Sequence, residues 1–177
     1  MHTSTGSHES EPICTTPRSL LWRGGGICVL LLAAFGCFWF LRRDAAGCLG
    51  FDRAYYTNYY WPRRHEVLLH VSAGAVALCT GLIQIYLGLT GRTRRLHRWL
   101  GRIYLIGVAA GVVAAGLLVS QIPISLYSLG LVGLAGSWVT TTLIAYLAVR
   151  RGNLALHRAW MIRSYIVTFA FVTLRVL

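Results

Sequence analysis

The sequence has no lysine and few acidic residues. Its 17 basic residues are all arginine, its acidic residues number five, and only 12% of the chain is charged. Asp44, Asp52 and Glu66 are the only carboxylates outside the N-terminal tail, so no carboxylate pair is placed for acid-base chemistry. This scarcity argues against a hydrolase and against a proton pump driven by carboxylates.

Several common functional motifs are also missing. The sequence contains no P-loop, no glycine-rich dinucleotide fingerprint and no His-Glu-x-x-His zinc pattern. Its five cysteines have no spacing typical of metal ligands, and we interpret them as small apolar residues; they are Cys14, Cys28, Cys37, Cys48 and Cys79.

Apolar residues, in contrast, are abundant. They make up 56% of the chain, and the mean hydropathy is +0.59. In so apolar a chain, arginines are expected where the chain leaves the hydrocarbon. The composition therefore predicts an integral membrane protein and excludes a soluble single domain, a disordered chain and a nucleic-acid-binding domain.

Five apolar segments predict an all-α polytopic transmembrane bundle. We expect a disordered tail at 1–19, a first membrane helix at 20–43, an aromatic extracytoplasmic loop at 44–65 and a four-helix membrane domain at 66–177. In that domain three segments have about the 20 residues needed to span a bilayer, and they lie at 66–89, 100–122 and 126–149. A fifth helix begins between Leu156 and Ser164. Either residues 156–164 are already helical, or the chain is the front part of a larger bundle.

Arginine clusters predict the orientation. They lie in the connection between helices 2 and 3 and in that between helices 4 and 5, whereas the turn at 123–125 has no charge. Positive-inside bias places both clusters, and the N-terminus, in the cytoplasm. The five arginines at Arg42, Arg43, Arg53, Arg63 and Arg64 oppose this assignment. An all-arginine basic complement is typical of a GC-rich bacterial genome, so we expect a bacterial cytoplasmic membrane.

The two arginine-rich connections resemble each other. The string LHRWLGRIY at 96–104 matches LHRAWMIRSY at 156–165 after one inserted residue. The shared order is His-Arg, Trp, Arg, Tyr as each chain segment enters the membrane. We interpret helices 3 and 5 as copies in a duplicated helix pair, running parallel.

These strings resemble a bacterial multi-pass membrane protein family called domain of unknown function 2306. The resemblance extends from about residue 66 to the C-terminus. It is carried by His70 with Gly74, the two histidine strings, the run WVTT at 138–141 and Leu174-Arg175. It implies a fold and a membrane location rather than an activity. It also implies that members continue beyond Leu174-Arg175 with further apolar sequence.

Three histidines are candidates for chemistry. His97 and His157 open helices 3 and 5 on one side, and His70 lies about one turn into helix 2 on the other. If helices 3 and 5 are neighbours, His97 and His157 supply axial ligands to one b-type haem. Arg98 and Arg158 then lie near its propionates, and His70 is a proton or electron relay.

Two other interpretations stay open. In the first, His97 and His157 are interfacial anchors, and the protein is a small transporter or a protein that binds anionic lipid. Arg102, Arg163 and Arg175 would then form an anion or lipid-headgroup site.

In the second, the protein is a structural subunit of a membrane complex, because glycines on helices 3 and 4 allow close helix approach. The expected partners are membrane lipids and other membrane subunits or a second copy, and nucleic acid is excluded. Whether the protein is an enzyme stays open.

Overall fold

The computed structural model describes residues 30–51, 53–54, 60–91 and 93–173, with side chains in the last helix described to residue 171. These residues form helices and no strand, which confirms the all-α prediction. The expected tail, the start of the first helix, residues 55–59 of the aromatic loop, and Arg175 lie outside the described residues.

The first helix, α1, spans residues 30–49 and contains a π-helical turn at Leu41–Ala45. It therefore continues past the charged residues 42–44, where the sequence predicted its end. Arg42 and Arg43 are exposed, whereas Ala45 and Cys48 are buried. The wider turn keeps the apolar side on the neighbouring helices while the guanidinium groups face outward.

Four further helices follow α1 among the described residues. A 3-10 turn at Trp61–Arg63 leads into the second helix. Three segments of the described chain are long and apolar enough to cross a membrane, and they are Trp61–Thr90, Arg94–Val119 and Leu126–Arg150. The helices are α2 (Arg64–Thr90), α3 (Arg94–Val119), α4 (Leu126–Arg150) and α5 (Leu154–Thr173). The chain is thus a membrane protein with three candidate spans among the residues that the structure describes.

The helix ends follow from local caps. Gly91 ends α2 with a φ of 65°, a left-handed conformation that favours glycine. Ser125 and Ser128 form a capping box at the start of α4. At α5, the Leu156 amide donates to the Asn153 side-chain oxygen at 3.0 Å. Residues 156–164 are consequently helical, which confirms the first of the two interpretations of this segment.

Two helical hairpins make up the bundle. α2 packs on α3, and α4 packs on α5; α3 also contacts α4, and α2 also contacts α5. This order places α3 and α5 diagonally across the bundle, where they meet through long side chains. α1 packs on the outside of this four-helix bundle, with Gly36 directly against the ring of Phe169 on α5.

Candidate histidine site and buried hydroxyl network

The structure brings His97 and His157 together. Each is the fourth residue of its helix, α3 or α5. Their ring centroids are 6.5 Å apart, and the ring planes make an angle of 84°. We call this end of the bundle, which also carries the α2–α3 and α4–α5 connections, the histidine end. Two diagonal helices thus each contribute one imidazole to the same place.

The two rings have different hydrogen bonds. His157 Nδ1 lies 2.9 Å from the carbonyl oxygen of Ala145 on α4. A carbonyl only accepts, so His157 Nδ1 carries a proton and donates it to Ala145. His97 Nδ1 is buried and has no hydrogen-bond partner among the described residues. The pair therefore contains one oriented imidazole and one with an unsatisfied nitrogen.

α2 fixes the backbone beneath His97. Gln84 Nε2 donates to the His97 carbonyl oxygen at 2.6 Å. Gly101 makes room for this amide, because a Cβ at that position would lie 2.9 Å from Gln84 Nε2. Gly88, one turn after Gln84, faces the His97 ring. In the sequence Gln84 had no feature that distinguished it from an ordinary polar helix residue.

The arginines of the histidine end lie on its surface. Arg98, Arg158, Arg102 and Arg163 are all exposed. The Arg102 guanidinium stacks 5.3 Å from the Trp99 ring centroid, and that of Arg163 stacks 5.0 Å from Trp160. Both pairs are three residues apart at matching positions of the repeated string. The sequence similarity between the two strings therefore extends to their local geometry.

A network of buried hydroxyl groups lies deeper in the bundle. It joins Tyr104 of α3, Trp138 and Thr142 of α4, and Ser164 and Thr168 of α5. The distances are between 2.7 and 3.0 Å, and each of the five residues is at most 5% exposed. The network links the two hairpins with polar contacts, whose strength is greater where water is excluded.

Proton counting fixes the direction of every bond. Thr168 donates to the Ser164 carbonyl oxygen, so its hydroxyl only accepts from Trp138 and Tyr104. The Tyr104 hydroxyl donates its hydrogen bond to Thr168 and accepts one from the Ser164 hydroxyl. Ser164 then accepts from Thr142. All hydroxyl groups in the network are satisfied in a single arrangement that runs from Thr142 to Thr168.

His70 lies away from the histidine pair. Its Nδ1 donates to the Gly111 carbonyl oxygen at 3.2 Å, and its ring meets Phe171 edge-on at 6.2 Å. It lines a cavity of about 240 Å³ that also includes the Trp138 and Thr168 side chains and residues next to the α3–α4 turn. We call this the cavity end. The hydroxyl network therefore forms part of the cavity wall.

The described residues contain no group of three or more His, Cys, Asp or Glu side chains able to hold a metal ion. A site in which the protein alone supplies three or four ligands is thereby excluded for this part of the chain. A porphyrin iron, however, requires only axial ligands from the protein. The His97–His157 pair has the donor types for that arrangement.

Comparison with known families places most of the chain in one of them. Residues 67–177 match the model of the family described as predicted membrane protein (DUF2306). The chain belongs to this family. The DUF2306 region covers nearly all of α2 and the whole of α3 to α5, and it includes all three candidate histidines. Neither the curated proteins nor the solved structures contain a significant match.

One close side-chain pair was not predicted from the sequence. Cys37 of α1 and Cys79 of α2 have their sulfur atoms 3.5 Å apart. Forty-two positions separate them in the sequence, and no motif marks either one. Their proximity follows only from the docking of α1, which lies outside the family match.

Proposed function

We propose that this DUF2306 chain is a membrane redox protein that binds one b-type haem between His97 and His157. The observation that carries the proposal is the 6.5 Å separation of the two rings from diagonal helices. An imidazole nitrogen binds a first-row transition metal at about 2.0 Å, so two imidazoles on opposite sides of one ion have centres about 6 Å apart. Facing helices of a bundle commonly supply such ligands.

The hydrogen bonds of the pair suit axial ligation. Ligating histidines usually donate their second ring nitrogen to a carbonyl or carboxylate, as His157 does to Ala145. His97 Nδ1 has no such partner among the described residues, so His157 is the better oriented of the two candidate ligands. When bound, the haem would supply one-electron transfer, which the protein's own side chains do not provide.

Nearby positive charge suits the propionates. Arg98 and Arg158 follow the two histidines directly and are exposed at the same end. A guanidinium pairs with a carboxylate through two parallel hydrogen bonds. The described part of the histidine end carries no acidic side chain that would compete for these arginines.

A visible spectrum of the full chain, purified from its host membrane in mild detergent, tests the proposal. We expect a Soret band and a reduced-minus-oxidised difference that His97→Ala and His157→Ala both abolish. His70→Ala is the matched control and keeps the signal, because His70 lies at the cavity end. His157→Met keeps an axial ligand and should raise the reduction potential.

Two outcomes would contradict the haem proposal. One is a folded, monodisperse wild-type preparation without a Soret band, even after incubation with haem. The other is a haem signal that survives both histidine substitutions. A potential unchanged in His157→Met would also show that His157 is not an axial ligand.

A second candidate function is recognition of anionic lipid headgroups at the histidine end. The paired stacks, Arg102 on Trp99 and Arg163 on Trp160, favour it because they hold exposed guanidinium groups beside interfacial tryptophans. Loss of binding to vesicles containing phosphatidylglycerol on replacing Arg102 and Arg163 with alanine would support it. Unchanged binding would count against it.

We also infer that the histidine end faces the cytoplasm of a bacterial cell. The connections between the helices support this, since arginines flank both connections at the histidine end while the α3–α4 turn at residues 120–125 carries none. The arginines at Arg42, Arg43, Arg53, Arg63 and Arg64 oppose it. Ala155, exposed near the start of α5 at the histidine end, is a suitable labelling position. In a cysteine-free background, Ala155→Cys in whole cells should resist a membrane-impermeant maleimide and react after permeabilisation. Labelling of intact cells would reverse the orientation.

A further inference from the structure

We propose that Cys37 and Cys79 form a reversible disulfide, oxidised by a membrane-soluble quinone, that ties α1 to the helices of the DUF2306 region. The proposal starts from the 3.5 Å separation of their sulfur atoms. A disulfide bond is about 2.05 Å long. The sulfur atoms therefore need to approach by roughly 1.5 Å, a distance that small side-chain rotations supply.

The surrounding packing keeps the two thiols in register. Cys37 is 6% exposed and belongs to an apolar cluster with Val71 and Leu78 of α2, and Cys79 packs against that cluster. On the preceding residue of α1, Gly36 lies directly against Phe169 of α5. Two neighbouring positions of α1 are thus fixed against two different helices, so α1 cannot slide without breaking both contacts.

The cluster also contains a polar group that the apolar packing does not explain. Tyr165 of α5 belongs to it and is 6% exposed, and its hydroxyl has no hydrogen-bond partner among the described residues. Unsatisfied buried polar atoms are rare and costly. Tyr165 shares this cluster with Cys37, so its hydroxyl is a donor available to a thiolate formed during oxidation of the pair.

The location of the pair selects the class of oxidant. Cys79 lies inside the apolar span Trp61–Thr90, where oxidants dissolved in water have little access. Cys79 is partly exposed, whereas Cys37 is buried, so Cys79 is the thiol that a lipid-soluble molecule reaches first. A quinone dissolved in the bilayer meets both requirements.

The reaction balances with one quinone. Two thiols and one quinone give one disulfide and one hydroquinone. Both S–H bonds break and one S–S bond forms, while two electrons and two protons pass to the quinone. A Cys79 thiolate adds to the quinone, and the Cys37 sulfur then attacks the Cys79 sulfur, so that the S–S bond forms as the hydroquinone leaves. It requires no haem, so this proposal stands or falls separately from the haem proposal.

Thiol counting on the full chain in lipid nanodiscs provides the test. The protein is treated with a short-chain benzoquinone or with its hydroquinone, denatured, alkylated with a maleimide and weighed by mass spectrometry. The chain has five cysteines. We expect five adducts after hydroquinone, and two fewer after quinone. Dithiothreitol should restore all five, and peptide mapping should identify the Cys37–Cys79 link.

Single substitutions provide the controls. Cys37→Ser and Cys79→Ser should each show the same number of adducts with quinone as with hydroquinone. Cys48→Ser is the matched control, because Cys48 is fully buried near the end of α1 and does not belong to the pair. This variant should still lose two adducts on oxidation. All variants are checked for monodispersity in the nanodisc before treatment.

The opposite results would overturn the proposal. Five adducts after quinone treatment of the wild type would show that the thiols do not react with this oxidant. A loss of adducts that persists in Cys37→Ser would assign the oxidation to other cysteines. A disulfide-linked dimer on a non-reducing gel would show that the bond forms between chains and does not tie α1 to its own bundle.

Discussion

Tyr104 and Tyr165 occupy matching positions of the repeated string and approach the same glycine, Gly81 of α2. A Cβ at Gly81 would lie 2.6 Å from Tyr165 Cδ2 and 3.1 Å from Tyr104 Cε2. Both rings are buried. Side chains from both diagonal helices, α3 and α5, therefore contact α2 at this one small residue.

The first prediction concerns this glycine. Gly81→Ala should lower the free energy of unfolding by about 1–3 kcal/mol, because the added methyl group overpacks two rings that have little room to move. Gly74→Ala, two turns earlier on the same helix, has nothing within 4 Å of its Cβ. This control should leave stability unchanged or increase it, since alanine is the better helix former. Denaturant unfolding in mixed micelles measures both, and equal effects would contradict the packing described.

The second prediction concerns the hydroxyl network. Thr168→Val keeps the side-chain shape but removes the acceptor of Trp138 Nε1 and of the Tyr104 hydroxyl. Two buried donors lose their partner, so we expect a loss of about 1–3 kcal/mol for each one that stays unpaired. Thr140→Val is the control, because Thr140 is exposed and bonds only its own helix, at the Gly136 carbonyl. A Thr168→Val protein as stable as the control would show that the network contributes nothing.

The third prediction concerns Gln84. Gln84→Met preserves the length of the side chain and removes the donor to the His97 carbonyl oxygen. If His97 is an axial ligand, haem affinity should fall by about tenfold to a hundredfold, as for other groups that orient a ligating residue. Haem titration of the apoprotein, monitored at the Soret band, gives the affinity. Gln121→Met in the exposed turn should bind haem like the wild type, and a matching fall in that variant would indicate a general effect.

The fourth prediction follows from Gly101. Gly101→Ala places a Cβ 2.9 Å from Gln84 Nε2, which displaces the amide without removing it. We expect the same direction of change in haem affinity as for Gln84→Met. The double variant should be no weaker than Gln84→Met alone, since both changes act through the same hydrogen bond. Additive effects in this double-mutant cycle would refute that coupling.

The sequence predicted the helices better than their ends. α3 begins at Arg94, six residues before the predicted start at residue 100. Hydropathy locates the apolar part of a span, whereas a helix continues through flanking arginines whose long side chains reach polar surroundings. The same physics explains why α1 continues past Arg42 and Arg43. For this reason the two histidines lie inside helices rather than in the connections.

The partners of the candidate residues could be predicted only in part. The repeated strings suggested that His97 and His157 belong together, but not that their helices are diagonal. The residue inserted at Ala159 shifts the helical phase by about 100°. Tyr104 therefore bonds Ser164 and not its sequence counterpart, Tyr165. The pairing of Cys37 with Cys79 depends on how α1 docks, which no spacing within the sequence encodes.

The direction of the hydroxyl network has a consequence for transport of charge. A proton that hops along such a chain must leave from its last member, and here the last acceptor is the Ser164 carbonyl oxygen, which has no proton to pass on. The hydroxyl chain that starts at Thr142 is therefore a dead end for protons at Thr168, in the wall of the cavity. As long as Thr168 keeps the bond to its own backbone, this hydroxyl chain passes no proton to the cavity.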